Sequence, residues 1–380
     1  MTTKWQDYLS ELTAFVTEHP KIKLGTEVIE IPEEYRKDFY RLFDMVRSSF
    51  IEGEFPAFLK RAEPLRDNFQ REEIELLKNP AVEEITLSPP LRWFIDDVIN
   101  GLRRPLYDPL FDLLRGKISI ENFIQLGRKN VETLNFKLEG QGYNTWIVLA
   151  LTNLLRPDKF FTISLEVGTS SMSTVQRATH NEVPVREPEE NKKISLLHAY
   201  YAIFVVPDFI IHSTAIDKYV AIRIEFSQPT WTATNKSKNR EWLELDINEV
   251  LVPGLITLNV ADSPDDLALI RDAQTIARPE LVVVSRETKD WYEKEHEWFE
   301  EIKINTEIFR PKLGMYIASR DDVPGEILQK LAYQEAIENL SDQENTSNAK
   351  IRILNLGFDI NRLKIIMNKL DTQEAGEILA

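Results

Sequence analysis

The chain has 380 residues, with 46 Lys+Arg against 62 Asp+Glu, no Cys and a formal net charge of −16. Without cysteine there is no disulfide framework, zinc–thiolate centre or cysteine nucleophile, and the composition fits a reducing cytoplasm, which is the expected location. So acidic a chain is not a general electrostatic binder of nucleic acid or anionic membrane, while 43% hydrophobic residues supply cores for roughly two to three domains.

The N-terminus, Met1 to Ser10, is polar and lacks the apolar segment of a signal peptide. Trp5, Leu9, Leu12, Phe15 and Val16 then fall on one helical face. Ile22–Ile31 alternates and reads as a short strand or an extended arm. From Pro32 onward, Tyr35, Phe39, Leu42, Phe43, Val46 and Phe50 recur at three- and four-residue steps, the spacing of a helix. Pro89 and Pro90 precede Leu91, Phe94, Ile95 and Val98, and proline suits a helix start. Ser119, with Asn122 and Phe123–Ile124 after it, predicts a further capped helix.

From about Phe136 the character changes. Gly140-Gln141-Gly142 reads as a helix-entry turn. The helix expected over Tyr143–Leu155 is apolar on nearly all sides, so it must be buried between layers. Phe160–Val167, Ala202–His212 and Tyr219–Phe226 read as strands, rich in Val, Ile and Phe. The polar segment Thr169–Lys193 between the first two has no apolar periodicity and reads as a long exposed loop or a partly disordered insert. The run Ala199–Ile211 is the longest apolar stretch, and Pro207 and Asp208 interrupt it. It falls short of the ~20 residues of a membrane span, so no membrane association is expected.

The last third alternates strand and helix. Leu255–Val260, Leu281–Val284 and Leu313–Ala318 are strand-like. Ser263-Pro264-Asp265-Asp266 is a helix start, with acids at the positive end of the dipole. Lys289–Ile302 reads as an acidic helix carrying Trp291 and Trp298, and Gly325–Leu340 and Ile360–Leu370 as amphipathic helices. The expected fold is α/β, with α+β as the alternative. A mixed central sheet is flanked by helices, with an all-helical N-terminal region and a helical C-terminal end. The boundaries read as residues 1–135 for the helical region, 136–287 for the α/β core and 288–380 for a mainly helical C-terminal region.

The middle elements run helix, strand, polar insert, strand, strand, polar loop, strand, helix, strand. Pro207-Asp208 stands on the second strand and Ile222-Arg223-Ile224-Glu225 on the third, and Glu139 just before the helix. In this order and in these words, Glu139–Glu287 resembles the PD-(D/E)xK superfamily, the restriction-endonuclease-like nucleases. The resemblance implies a magnesium-dependent endonuclease acting on DNA, or a catalytically degenerate relative. Asp208 and Glu225 would be metal ligands, Glu139 a third acid, and Arg223 or Lys218 a charge partner. The chemistry is consistent with such residues: a hard cation takes oxygen ligands, polarises the phosphoryl group and lowers the pKa of an attacking water. The chain departs from the pattern at Ser227, where the family places lysine. Arginine cannot replace it as a general base at neutral pH.

Other features are read more plainly. Arg278-Pro279-Glu280 before Leu281–Val284 is a second proline-acid-strand word, favoured as structural. The segment Trp231–Arg240 has no acid, and its Trp231, Lys236, Lys238 and Arg240 suit base stacking and phosphate contact, against the plainer reading of a solvated loop. The five His show no metal-ligand spacing, and no Walker A, GxGxxG or GxSxG word occurs. The alternative function is a non-catalytic interaction or scaffold protein, which binds a protein partner through the helical region and the acidic helix. The acidity itself is local: residues 136–248 carry 12 cationic and 13 acidic groups, against 15 and 25 in residues 249–380.

Overall fold

The computed structural model describes residues 4–25, 29–163, 188–196, 207–226, 253–268, 279–286, 309–326, 337–339 and 351–371. The protein is α/β, with N-terminal helices and a large mixed sheet. It divides into two compact units, Met1–Asp67 with Pro89–Gly142, and Asn68–Ser88 with Tyr143–Ala380. Among the described residues no helix is long and apolar enough to cross a membrane.

The first unit is helical. It holds α1 (Lys4–Glu18), a small antiparallel pair β1 (Lys23–Leu24) and β2 (Ile29–Glu30), and α2 (Glu33–Glu54). It continues with the first part of α3 (Pro56–Leu77), then α4 (Pro89–Asp96), α5 (Val98–Leu102), α6 (Tyr107–Leu114) and the first part of α7 (Ile120–Leu155). The periodic aromatics predicted for α1 and α2 form its core. Trp5 meets Phe50 edge-on at 5.3 Å, and Phe43 meets Phe111 at 4.5 Å. Such pairs add about 0.5–1.5 kcal/mol each beyond the area they bury. Ser119 caps α7 as expected, its Oγ accepting from the Asn122 N–H at 3.3 Å.

The sequence places a break near Gly140-Gln141-Gly142, but α7 runs unbroken through it for 36 residues. The glycine at 142 serves packing. A Cβ there would come within 3.0 Å of Leu65 Cδ2, so its absence lets α3 approach α7.

The second unit is built on a nine-stranded sheet. Its strands are β4 (Pro157–Thr162), β5 (Glu189–Glu190), β7 (Phe209–Ser213), β8 (Lys218–Phe226), β9 (Pro253–Ala261), β10 (Leu281–Arg286), β11 (Gly314–Ser319), β12 (Ile337–Asn339) and β13 (Ile351–Asn355). The order across the sheet is β12-β13-β11-β10-β9-β8-β7-β4-β5. From β5 to β10 every pairing is antiparallel, and from β10 to β12 every pairing is parallel. A separate parallel pair joins β3 (Glu84–Leu87) to β6 (Lys193–Leu196). Two described helices complete the unit, α8 (Pro264–Ala268) and α9 (Ile360–Asp371).

Strand alternation sorts the two faces. Leu255, Val282, Val284, Met315, Ile317, Ile351 and Ile353 point one way and pack with Phe309 and Val323. The last part of α7 lies on the other face, where Asn144 Nδ2 donates to Ser285 Oγ at 3.2 Å. The run Trp146–Leu151 is buried on every side, as its all-round apolarity requires.

The helix expected over Gly325–Leu340 does not extend through its C-terminal end, since Ile337–Asn339 pairs with β13 as a parallel strand. A short run with one or two apolar residues fits either period, and here strand pairing decides. The expected helix Lys289–Ile302 and most of the insert Thr169–Lys193 lie outside the described residues.

Candidate functional site

The resemblance puts its acids on β7 and β8, so the site is built from that hairpin. Phe209 pairs with Ile222 and Ser213 with Lys218. Asp208 stands immediately before β7, after a proline that has no N–H to give the ladder. The Asp208 N–H donates to the Ile222 carbonyl at 2.9 Å. Its carboxylate Oδ2 accepts from the Ile224 N–H at 2.6 Å. The side chain thus supplies the acceptor that a buried N–H requires.

Arg223 lies between those two isoleucines, paired on its other side with Thr257, and its charge faces Asp208. Burial raises the Asp208 carboxyl to about 6, against the lowering effects of the Ile224 N–H and then Arg223. Burial likewise lowers the Arg223 guanidinium to about 10, opposed by Asp208. Desolvation is the larger effect on both partners, as expected where enclosure outweighs pairing. Asp208 and Arg223 are therefore brought together as the sequence suggested, but with the carboxylate already holding main chain.

The other candidate residues are placed elsewhere or only partly described. Lys218 stands at the opposite end of β8 from Asp208, five residues and roughly 17 Å from Arg223 at ~3.3 Å per residue, and pairs with Asp262 at 2.6 Å. It is not a charge partner of Asp208, because the register of the hairpin sets it opposite Ser213. Glu139 belongs to the helical unit, is buried and pairs with Arg61 at 3.0 Å. Glu225 lies on β8 with its backbone paired to Leu255, and its side chain is outside the described residues. Trp231, Lys236, Lys238 and Arg240 also lie outside them. His212, near the end of β7, contacts Asp158 at 2.6 Å.

The second proline-acid word repeats the hydrogen-bond pattern of the first. Glu280 stands immediately before β10. Its N–H donates to the Leu258 carbonyl at 2.8 Å, and its Oε2 accepts from the Val260 N–H at 2.8 Å. In both corners the acid's N–H goes to one residue of the antiparallel neighbour and its carboxylate to the N–H two residues on. Each following strand also enters in the same register, Phe209 against Ile222 and Leu281 against Leu258. Glu280 adds an ion pair to Lys312 at 2.5 Å and is 2% exposed. The signal for this role was legible as the repeated word Pro-acid before an apolar strand. The partner N–H groups were not, because they depend on register.

The magnesium set is described only in part, since the side chain of Glu225 lies outside the described residues. One Asp208 oxygen is held by an N–H, and the guanidinium beside it repels a dication. Among the described residues no group of three or more His, Asp or Glu side chains converges to hold a metal ion. Compared with known proteins, the chain matches no family model, no curated protein and no solved structure.

Proposed function

We propose that the chain is a non-catalytic binding protein, in which a sheet unit with nuclease-like words is the scaffold and the helical unit carries the surface for a protein partner. The observation that carries this reading is the Asp208 corner. The acid that a magnesium nuclease would present to a metal instead fastens Ile224 and faces Arg223. Glu280 uses the same device with no link to the implied site. On the helical unit, Trp93 is 43% exposed and lies 5.9 Å from the Arg104 guanidinium, and Tyr107 is 37% exposed. Tryptophan, tyrosine and arginine are the residues that most often dominate the energy of a protein interface.

The decisive experiment is magnesium-dependent cleavage of supercoiled plasmid DNA by the wild type and by Asp208→Ala. No cleavage by either is expected. Cleavage by the wild type that disappears in the variant overturns the proposal and restores the nuclease reading. The binding role is checked by affinity capture with wild type and with Trp93→Ala/Tyr107→Ala. Retention of every captured protein by a folded double variant would remove the helical surface from it.

A further inference from the structure

A cleft of about 610 Å³ opens in the second unit, away from the Asp208 corner. Its walls come from the last turns of α3 and α7, the β7–β8 turn and one side of α9. The volume is in the range of small-molecule sites, roughly 300–1,000 Å³. Three cations line it: Arg71, Arg156 and Lys364. Among the described residues none of them has a carboxylate partner. Arg71 Nη1 donates to the neutral Asn68 Oδ1 at 3.1 Å, and Lys364 Nζ to Asn361 Oδ1 at 2.9 Å. Two acids also line it, but both are engaged. Glu72 is 4% exposed and its Oε2 accepts from Asn153 Nδ2 at 3.0 Å, while Glu75 pairs with Lys78 at 2.7 Å. Leu154, Ile216 and the buried Met367 add an apolar wall.

Arg156 gives a second, independent observation. It ends α7 with φ +48°, a left-handed conformation in which a side chain costs about 1–2 kcal/mol and glycine costs little. The backbone there is fixed on both sides. The Arg156 N–H donates to the Asn153 carbonyl, and its own carbonyl accepts from the Thr214 N–H at 3.2 Å and from Thr214 Oγ1 at 2.7 Å. A position suited to glycine thus holds a cation in the wall of a cleft, and strain of this kind gathers at ligand sites.

We infer that this cleft binds a phosphorylated small molecule, with the phosphate met by Arg156, Lys364 and Arg71 and the organic body on the Leu154–Ile216–Met367 wall. Arginine matches phosphate oxygens in a fork and lysine adds a point charge. With Glu75 paired to Lys78, three cations against Glu72 leave an excess of positive charge, suited to a phosphate monoester.

The test is calorimetric titration and thermal shift of the full chain with AMP, glucose 6-phosphate and pyrophosphate, and with adenosine as the uncharged control. Wild type is compared with Arg156→Gly, which relieves the backbone while removing the cation, and with Lys364→Gln. Saturable binding of a phosphate monoester below about 10 mM is expected, with no adenosine binding and a loss of at least about tenfold in each variant, 1.4 kcal/mol by conversion. Arg156→Gly guards against misfolding, because its melting temperature without ligand should not fall. The inference is overturned if no phosphate compound binds, if the variants bind as tightly as wild type, or if only pyrophosphate binds.

Discussion

At the β10 corner Glu280 is 2% exposed and meets Lys312, whose side chain is 50% exposed. At the β7 corner Asp208 meets Arg223, itself desolvated enough to lose proton affinity. The backbone device is the same, so the difference lies in what neutralises the carboxylate. A half-exposed ammonium keeps its hydration and still pairs. A desolvated guanidinium shares the penalty with its partner, and the acid rises to about 6. One sequence word thus fastens two strands with differently hydrated cations, and at Asp208 the acid is titratable near 6.

The largest effect should come from Glu280→Ala. It strands the Val260 N–H and unpairs Lys312, costing about 2–4 kcal/mol in denaturant titration, with the ammonium's exposure limiting the electrostatic share. A cost under about 1 kcal/mol would break the claim that this corner is fastened by its acid.

Next in size is a pH effect at Asp208. Its folded carboxyl is raised above the ordinary aspartate value, so its stabilising contribution is complete below about pH 4 and is lost as pH rises through about 6. Asp208→Asn should match the wild type at the acid end and be more stable above pH 6, by on the order of 2 kcal/mol. Parallel stability profiles for the two proteins across pH 4–6 would show that Asp208 is not desolvated in the way described.

A smaller loss, about 1 kcal/mol, is expected for Lys312→Met, which removes the half-exposed partner of the buried Glu280 carboxylate. Lys218→Ala should change stability by no more than about 0.5 kcal/mol, since its partner Asp262 is 84% exposed. A larger effect of Lys218 on the Asp208 titration would contradict the register of the hairpin.

Much of the sheet was legible. The apolar runs at 219–226, 255–260, 281–284 and 313–318 became β8 to β11 with ends shifted by at most two residues. Dense Val, Ile and Leu between turn residues leaves little choice once both faces must be buried. β13 was not anticipated, because Ile351–Asn355 alternates through a buried Arg352 that donates to the Tyr316 hydroxyl at 2.9 Å. The arginine breaks the apolar run until that partner is known. α7 was read as two helices because glycine weakens a helix locally, while packing against Leu65 favours it here.

The candidate site was legible as residue types and not as roles. The shared face of Arg223 and Glu225 follows from strand alternation, which sequence supplies. The capture of Asp208 by Ile224, and the distance of Lys218, follow from hairpin register, which single-residue patterns do not encode.

The ends of the large sheet have a consequence for how this protein behaves at high concentration. The described edge strands are β5, with two residues that are both exposed acids, and β12, with three. Where β4 extends past β5, it begins with a proline, and the Pro157 carbonyl is taken by Asn79 Nδ2 at 2.6 Å. An incoming extended segment would find few main-chain groups to join and like charge on one side. Among the described residues, the nine strands therefore offer little template for strand addition.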